Sequence, residues 1–190
     1  TTYADNATLD TQIIKKTAKM FYTSPDNAWK ELVAIDADYV LIWVTAERVF
    51  SSNQVPLFLL GNGGGDEAKR FWFAQVADAP MEKYFFDDLM SGPNAFWHDT
   101  FLGKMIPFSP VVYLDPVSEK SYNQYQPNTI GVYVKDFKFP NNPIDALDEP
   151  LQLVYTSPSF DRTDDGEISG VLIYKVNKDY KPSFEYDILN

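Results

Sequence analysis

The pattern of apolar and polar positions changes character along this chain. Between Thr11 and Tyr22, the apolar Ile13, Ile14, Ala18 and Phe21 recur at helical spacing, while Lys15, Lys16 and Lys19 fall elsewhere on the wheel. That spacing predicts an amphipathic helix. Ser24-Pro25-Asp26 then supplies an N-cap, a proline at the first helical position and an acidic first turn. The helix they open runs through Trp29, Leu32, Val33 and Ile35 and stops near Asp36-Ala37-Asp38. Tyr39-Val40-Leu41-Ile42-Trp43-Val44 follows with no charged residue. Such an unbroken run predicts a central strand buried on both faces.

Val55–Leu60 reads as a loop or an edge strand, and Gly61-Asn62-Gly63-Gly64-Gly65 is too flexible for a regular element. Asp66 is expected to cap a helix extending to about Ala77. Further helices are expected over Glu82–Leu89 and Ala95–Met105, the second ended by Pro107. From Val111 onward the texture is different. Prolines at 116, 127, 140, 143, 150, 158 and 182 interrupt short alternating stretches such as Gly131–Lys135 and Gln152–Tyr155. Asp164-Asp165-Gly166 is a turn signal ahead of a strand at Val171–Val176. The expected fold is α+β, a helical core packed on a mixed sheet, with a β-rich second half. Residues 1–110 form the helix-rich core, completed by a strand over 171–177, and residues 111–170 form a peripheral or inserted β-rich unit.

Composition narrows the function classes. A chain of 190 residues, 45% hydrophobic and 16% aromatic, is long and apolar enough to bury a core. Its longest purely apolar run, Tyr39–Val44, is far short of a membrane span, and no signal peptide is visible. The formal net charge of −11, from 27 acidic against 16 basic residues, argues against a nucleic-acid backbone as partner, since that needs clustered Lys and Arg. With no cysteine and one histidine, zinc sites built from Cys and His are excluded, and the redox compartment is not legible.

Five segments are candidates for chemistry. Gly61–Asp66 nearly matches G-x-G-x-x-G, but Asp66 takes the third glycine position. A carboxylate there opposes a pyrophosphate, and no βαβ unit surrounds it. Asp66, Lys69 and Phe73 would share one helical stripe, which places an acid, a base and a ring at the mouth of the glycine loop; a solvated cap and ion pair beside a core Phe73 accounts for the same spacing. His98, in Phe96-Trp97-His98-Asp99, has no Gly-x-Ser-x-Gly partner motif. Asp161–Glu167 resembles the opening of a calcium loop, with Gly166 at position six but Leu172 at position twelve. Asn6-Ala7-Thr8 is an N-glycosylation acceptor sequence. Unaided, the residues specify an acidic α+β domain with no catalytic constellation.

Several segments, in order, resemble catalytic subunits of the oligosaccharyltransferases. Thr1-Thr2-Tyr3-Ala4-Asp5-Asn6-Ala7-Thr8 is similar to the stretch a few residues after that family's WWDYG signature, and the two helices and Asp36–Ile42 follow in the family's order. Asp66-Glu67-Ala68-Lys69-Arg70-Phe71-Trp72-Phe73 looks like its DK motif, D-x-x-K-x-x-x-M/I. Phe101–Met105 resembles a downstream helix, and Val171–Val176 resembles the closing strand. The resemblance covers about residues 1–106 and 171–177; residues 111–170 have no counterpart in it. The lack of cysteine and the short length suit the archaeal type.

This resemblance implies the C-terminal globular domain of a membrane glycosyltransferase. The full enzyme moves a glycan from a lipid-linked donor to Asn in Asn-X-Ser/Thr sequons. The domain would sit on the extracellular face, tethered by an N-terminal membrane domain that also holds the divalent metal (Mn or Mg) and the lipid-linked oligosaccharide. WWDYG would lie just upstream of Thr1, and no cofactor is expected within this chain. Carried over, Asp66 and Lys69 are the polar members of the pocket for the sequon Ser/Thr, and Phe73 stands where Met or Ile would touch the threonine methyl. They are acceptor-binding residues, none is catalytic, and the chain alone is expected to be inactive. The alternatives are an extracellular carbohydrate-binding or assembly module, marked by exposed Tyr or Trp away from the DK helix, and a hydrolase using paired carboxylates.

Overall fold

A computed structural model of the chain describes residues 3–4, 9–50, 56–60, 64–85, 95–108, 111–112, 132–134, 137, 139, 149–162 and 166–182. The first helix, α1 (Thr11–Phe21), begins at Asp10, whose carboxylate accepts the N–H groups of Gln12 and Ile13. The second, α2 (Pro25–Ala34), is capped by the Ser24 hydroxyl, which accepts the Asn27 N–H. Both starts use the side-chain acceptor that an unsatisfied first turn requires. Asp36, at φ 55°, turns the chain through the left-handed region into β1 (Tyr39–Phe50).

The remaining strands are β2 (Pro56–Leu60), β3 (Val111–Val112), β4 (Val132–Val134), β5 (Leu151–Thr156) and β6 (Gly166–Val176). They make one sheet in the order β3-β4-β2-β1-β6-β5. Four of these strands have five or more residues, and the short β3 and β4 extend one edge. Every pairing is antiparallel, so the sheet is antiparallel and not mixed as the sequence suggested. The dominant contact is β1 with β6, in register from Tyr39 opposite Lys175 to Arg48 opposite Gly166. Strands drawn from residues 111–170 join both edges of this sheet.

One face of the sheet carries the core. Ile42, Val44 and Ala46 of β1 and Ile168, Leu172 and Tyr174 of β6 are buried, together with Ala18, Leu32, Ala74, Phe96, Trp97, Phe101 and Leu102 from the helical segments. The opposite face corrects the expectation of a strand buried on both sides. Tyr39, Leu41 and Trp43 are 60%, 58% and 48% exposed. Leu41 stands opposite Ile173, which stands opposite Tyr155, so an apolar row crosses three strands on the open face. The reason lies in the topology: an antiparallel sheet needs no crossover helices, so one layer of helices can cover one face and leave the other to solvent.

The helices between β2 and β3 are α3 (Arg70–Ala77), α4 (Met81–Phe85), α5 (Ala95–Asp99) and α6 (Phe101–Lys104). The single helix expected over Ala95–Met105 is therefore two. Thr100 is extended, and its hydroxyl donates to Phe96 O at 2.6 Å and accepts Gly103 N–H at 3.0 Å, ending one helix and capping the next. Gly103 makes this close turn possible, because a Cβ there would lie 2.2 Å from Phe96 O. The expected helix over Glu82–Leu89 is described only to Phe85. Of the stretch expected as a loop or an edge strand, Pro56–Leu60 is a strand inside the sheet, because β2 pairs with both β1 and β4. Among the described residues no helix is long and apolar enough to cross a membrane.

Candidate functional site

Asp66 does not cap a helix with its side chain. It has αR geometry at the head of a 3-10 turn, Glu67–Lys69, and its carboxylate makes no capping bond. The carboxylate is turned toward β1 instead. Asp66 Oδ2 accepts the Trp43 N–H at 2.8 Å, and Asp66 N–H donates to Trp43 O at 2.6 Å. These bonds replace a strand partner: the β1–β2 ladder begins at Ala46 opposite Leu60, so Trp43 lies beyond it. A backbone group at such a point needs another partner, and the residue after the glycine loop supplies both halves.

The second oxygen of Asp66, Oδ1, holds Lys69 Nζ at 3.1 Å. Residues three apart nearly eclipse in a 3-10 turn, which brings these two side chains together as their spacing implied. Both are partly accessible, the lysine more than the aspartate. Phe73 goes elsewhere. It lies on α3, a full turn on, and its ring meets Phe21 of α1 edge-on at 5.1 Å and Trp72 at 5.2 Å, packed against the core. The turn therefore unites the acid and the base, while the ring serves the contact between α1 and α3.

Beneath this pair lies a second that spacing did not distinguish. Glu67 and Arg70 are both fully buried. Glu67 Oε1 accepts the Thr45 N–H at 3.2 Å, and Arg70 Nη1–H donates to Glu67 O at 3.0 Å. The Arg70 guanidinium lies 5.5 Å from the centroid of the Trp97 ring, and the Tyr22 hydroxyl donates to Arg70 O. Burial pushes the Glu67 carboxyl up to about 8; the N–H groups of Glu67 and Thr45 and the Arg70 charge oppose this, and Asp66 adds to it. Burial likewise draws Arg70 down to about 10, against the pull of Tyr22 and Glu67. The signal available in the sequence was a second pair three apart, Glu67 and Arg70, interleaved with Asp66 and Lys69.

The other candidates contribute no centre. His98 is exposed on α5. Leu172, the twelfth position of the calcium-like stretch, is fully buried in β6 on the helix-covered face, so it offers a cation nothing. Residues 163–165, Gly61–Gly63 and Asn6-Ala7-Thr8 lie outside the described residues. Among the described residues no three His, Asp or Glu side chains come together as a metal ion would require, so the divalent metal implied by the resemblance has no cradle in this part of the chain. Trp43 is half-exposed on the open sheet face, with its Nε1–H directed to Ser169 Oγ. Because its backbone is bonded to Asp66, that aromatic surface adjoins the turn.

The arrangement can bind rather than react. An ammonium donor and a carboxylate acceptor are held on a rigid strand edge, which suits recognition of a hydroxyl or amide. No nucleophile paired with a base is present among these groups. Comparison with known proteins finds no family model and no curated protein that matches this chain.

Proposed function

We propose that this chain is the C-terminal globular domain of an oligosaccharyltransferase catalytic subunit, where it forms one wall of the pocket for the sequon Ser/Thr. The observation that carries the reading is the Asp66–Lys69 pair, joined at 3.1 Å and anchored to β1 through Trp43. In the segment that resembles the DK motif, the two polar positions are the two that share a bond and remain partly accessible. Lys69 offers donors to a hydroxyl oxygen, and Asp66 orients it. Phe73, packed on Phe21, supports this wall from behind and offers the pocket at most a ring edge. Among the described residues no group of His, Asp or Glu is placed to hold the metal that would assist attack by the sequon amide, and in this reading glycan transfer belongs to the full-length enzyme with its membrane domain.

The test is Lys69→Ala in the full-length enzyme. Loss of a charge-assisted hydrogen bond of roughly 1.5–3 kcal/mol should lower kcat/KM for an Asn-X-Thr peptide by about 10–100-fold, mainly through KM. Kinetics unchanged for both Ser and Thr sequons would remove the role assigned to the pair.

A further inference from the structure

We propose, building on the acceptor-site reading, that Glu67 is the positioning residue that fixes the Asp66–Lys69 pair against β1. Trp43 and Thr45 present their N–H groups to the same side of β1, beyond the end of its ladder with β2. Residues two apart on one strand edge are roughly 7 Å apart. Two successive carboxylates reach them, Asp66 taking the Trp43 N–H and Glu67 taking the Thr45 N–H. The bonds between Asp66 and Trp43 alone leave the turn free to pivot about a single residue. The Glu67 bond to Thr45 adds a second point of attachment and removes that freedom.

The surroundings of Glu67 are built around its carboxyl. A Cβ at Gly65 would lie 2.2 Å from Glu67 Oε2, so only glycine leaves the carboxyl its place. Oε2 is buried and has no hydrogen-bond partner among the described residues. Keeping a polar group there is costly, and a helix start far from any task could use an apolar side chain. From the other side, Arg70 grips the backbone of Glu67 and is itself held between Tyr22, at the C-terminal end of α1, and the Trp97 ring of α5. A continuous chain of contacts thus runs from the core through Arg70 and Glu67 to the strand edge where Asp66 holds Lys69. The outer pair meets solvent, and the inner pair sets its direction.

The experiment uses the 190-residue chain and amide hydrogen exchange read by NMR, with Leu172 in β6 as the reference for global opening. Glu67→Gln keeps an acceptor for the Thr45 N–H, and the exchange of Trp43 relative to Leu172 should match the wild type. Glu67→Ala removes the acceptor and should raise that ratio about tenfold or more, the change expected when a bond of about 1.4 kcal/mol is lost locally. Glu67→Met, which fills the volume without an acceptor, gives the same reading if the alanine variant fails to fold. An unchanged ratio in Glu67→Met, or a rise equal at Trp43 and Leu172, overturns the proposal. Acceptor kinetics separate it from the reading on which it rests. If the Trp43 ratio rises while full-length Glu67→Met keeps a wild-type KM, the positioning stands and the acceptor pocket lies elsewhere.

Discussion

Arg70→Ala is expected to lower the unfolding free energy of this chain by about 2–5 kcal/mol, the range for truncating a large, fully buried side chain to alanine. Arg70 is fully buried: its guanidinium lies by the Trp97 ring, and Nη1–H is bonded to Glu67 O. Truncation leaves Glu67 buried without the charge that opposes its desolvation, and it opens a void beside Trp97. Urea unfolding measures the loss directly, and the melting temperature should fall by roughly 2–4 °C for each kcal/mol in a domain of this size. The loss should be largest above pH 8, where Glu67 carries its charge. Arg70→Met, apolar and unbranched, should cost less than the alanine variant. A difference under about 1 kcal/mol between Arg70→Ala and the wild type would contradict this account of Arg70.

The second large effect is a pH dependence that falls on the neutral side. The folded chain holds the Glu67 proton up to about 8, against an ordinary value of 4.5. A carboxyl raised by folding contributes stability that is fully present below its unfolded pKa and lost as pH rises through its folded pKa. The folded state binds more protons across this window, so stability should decline by about 1.4 kcal/mol per pH unit between roughly pH 4.5 and 8. The whole window represents on the order of 4–5 kcal/mol. The charged and titratable groups around Glu67 are Arg70, Asp66, Lys69 and the Tyr22 hydroxyl, the last raised by burial to the far alkaline side. Asp36 and Asp78 are held below the usual range by Lys178 and Lys15, so their stability is lost only in acid, with the opposite slope. In Glu67→Gln the neutral-side slope should flatten, and the variant should be the more stable protein at pH 9. Equal slopes in the two proteins would contradict this.

How much of this was legible beforehand depends on what each signal encodes. The cap at Ser24 and the periodicity from Ile13 to Phe21 act locally, and α1 and α2 begin where those residues place them. The run Tyr39–Val44 announced a strand but not its surroundings. Strand pairing and face coverage depend on residues far along the chain, here Lys175 to Gly166 of β6, and an apolar run looks alike whether one face or two is covered. The periodicity over Ala95–Met105 places Thr100 inside a helix, because its cap acts through Gly103, a residue whose tight contact with Phe96 exists only in the folded chain.

The candidate site shows the same division. Asp66 and Lys69 were identifiable as a pair from their spacing, and the 3-10 turn keeps them together. That the Asp66 carboxylate would serve β1 instead of a helix end required knowing where the β2 ladder stops. The inner pair, Glu67 and Arg70, has the same spacing and composition as the outer one, and nothing local says which pair turns inward. Phe73 needed the position of α1 to be understood, since its ring packs edge-on against Phe21, a residue far off in sequence.

The central claim is that the turn beginning at Asp66 is one wall of the acceptor pocket, and proximity labelling tests it most directly. A sequon peptide carrying a benzophenone side chain in place of the residue at position +2 can be irradiated on the full-length enzyme and the adduct mapped by mass spectrometry. The account predicts labelling within residues 66–73, competed away by unlabelled Asn-X-Thr peptide and reduced in Lys69→Ala. Labelling that is competed away by the same peptide but maps wholly outside this segment would contradict it.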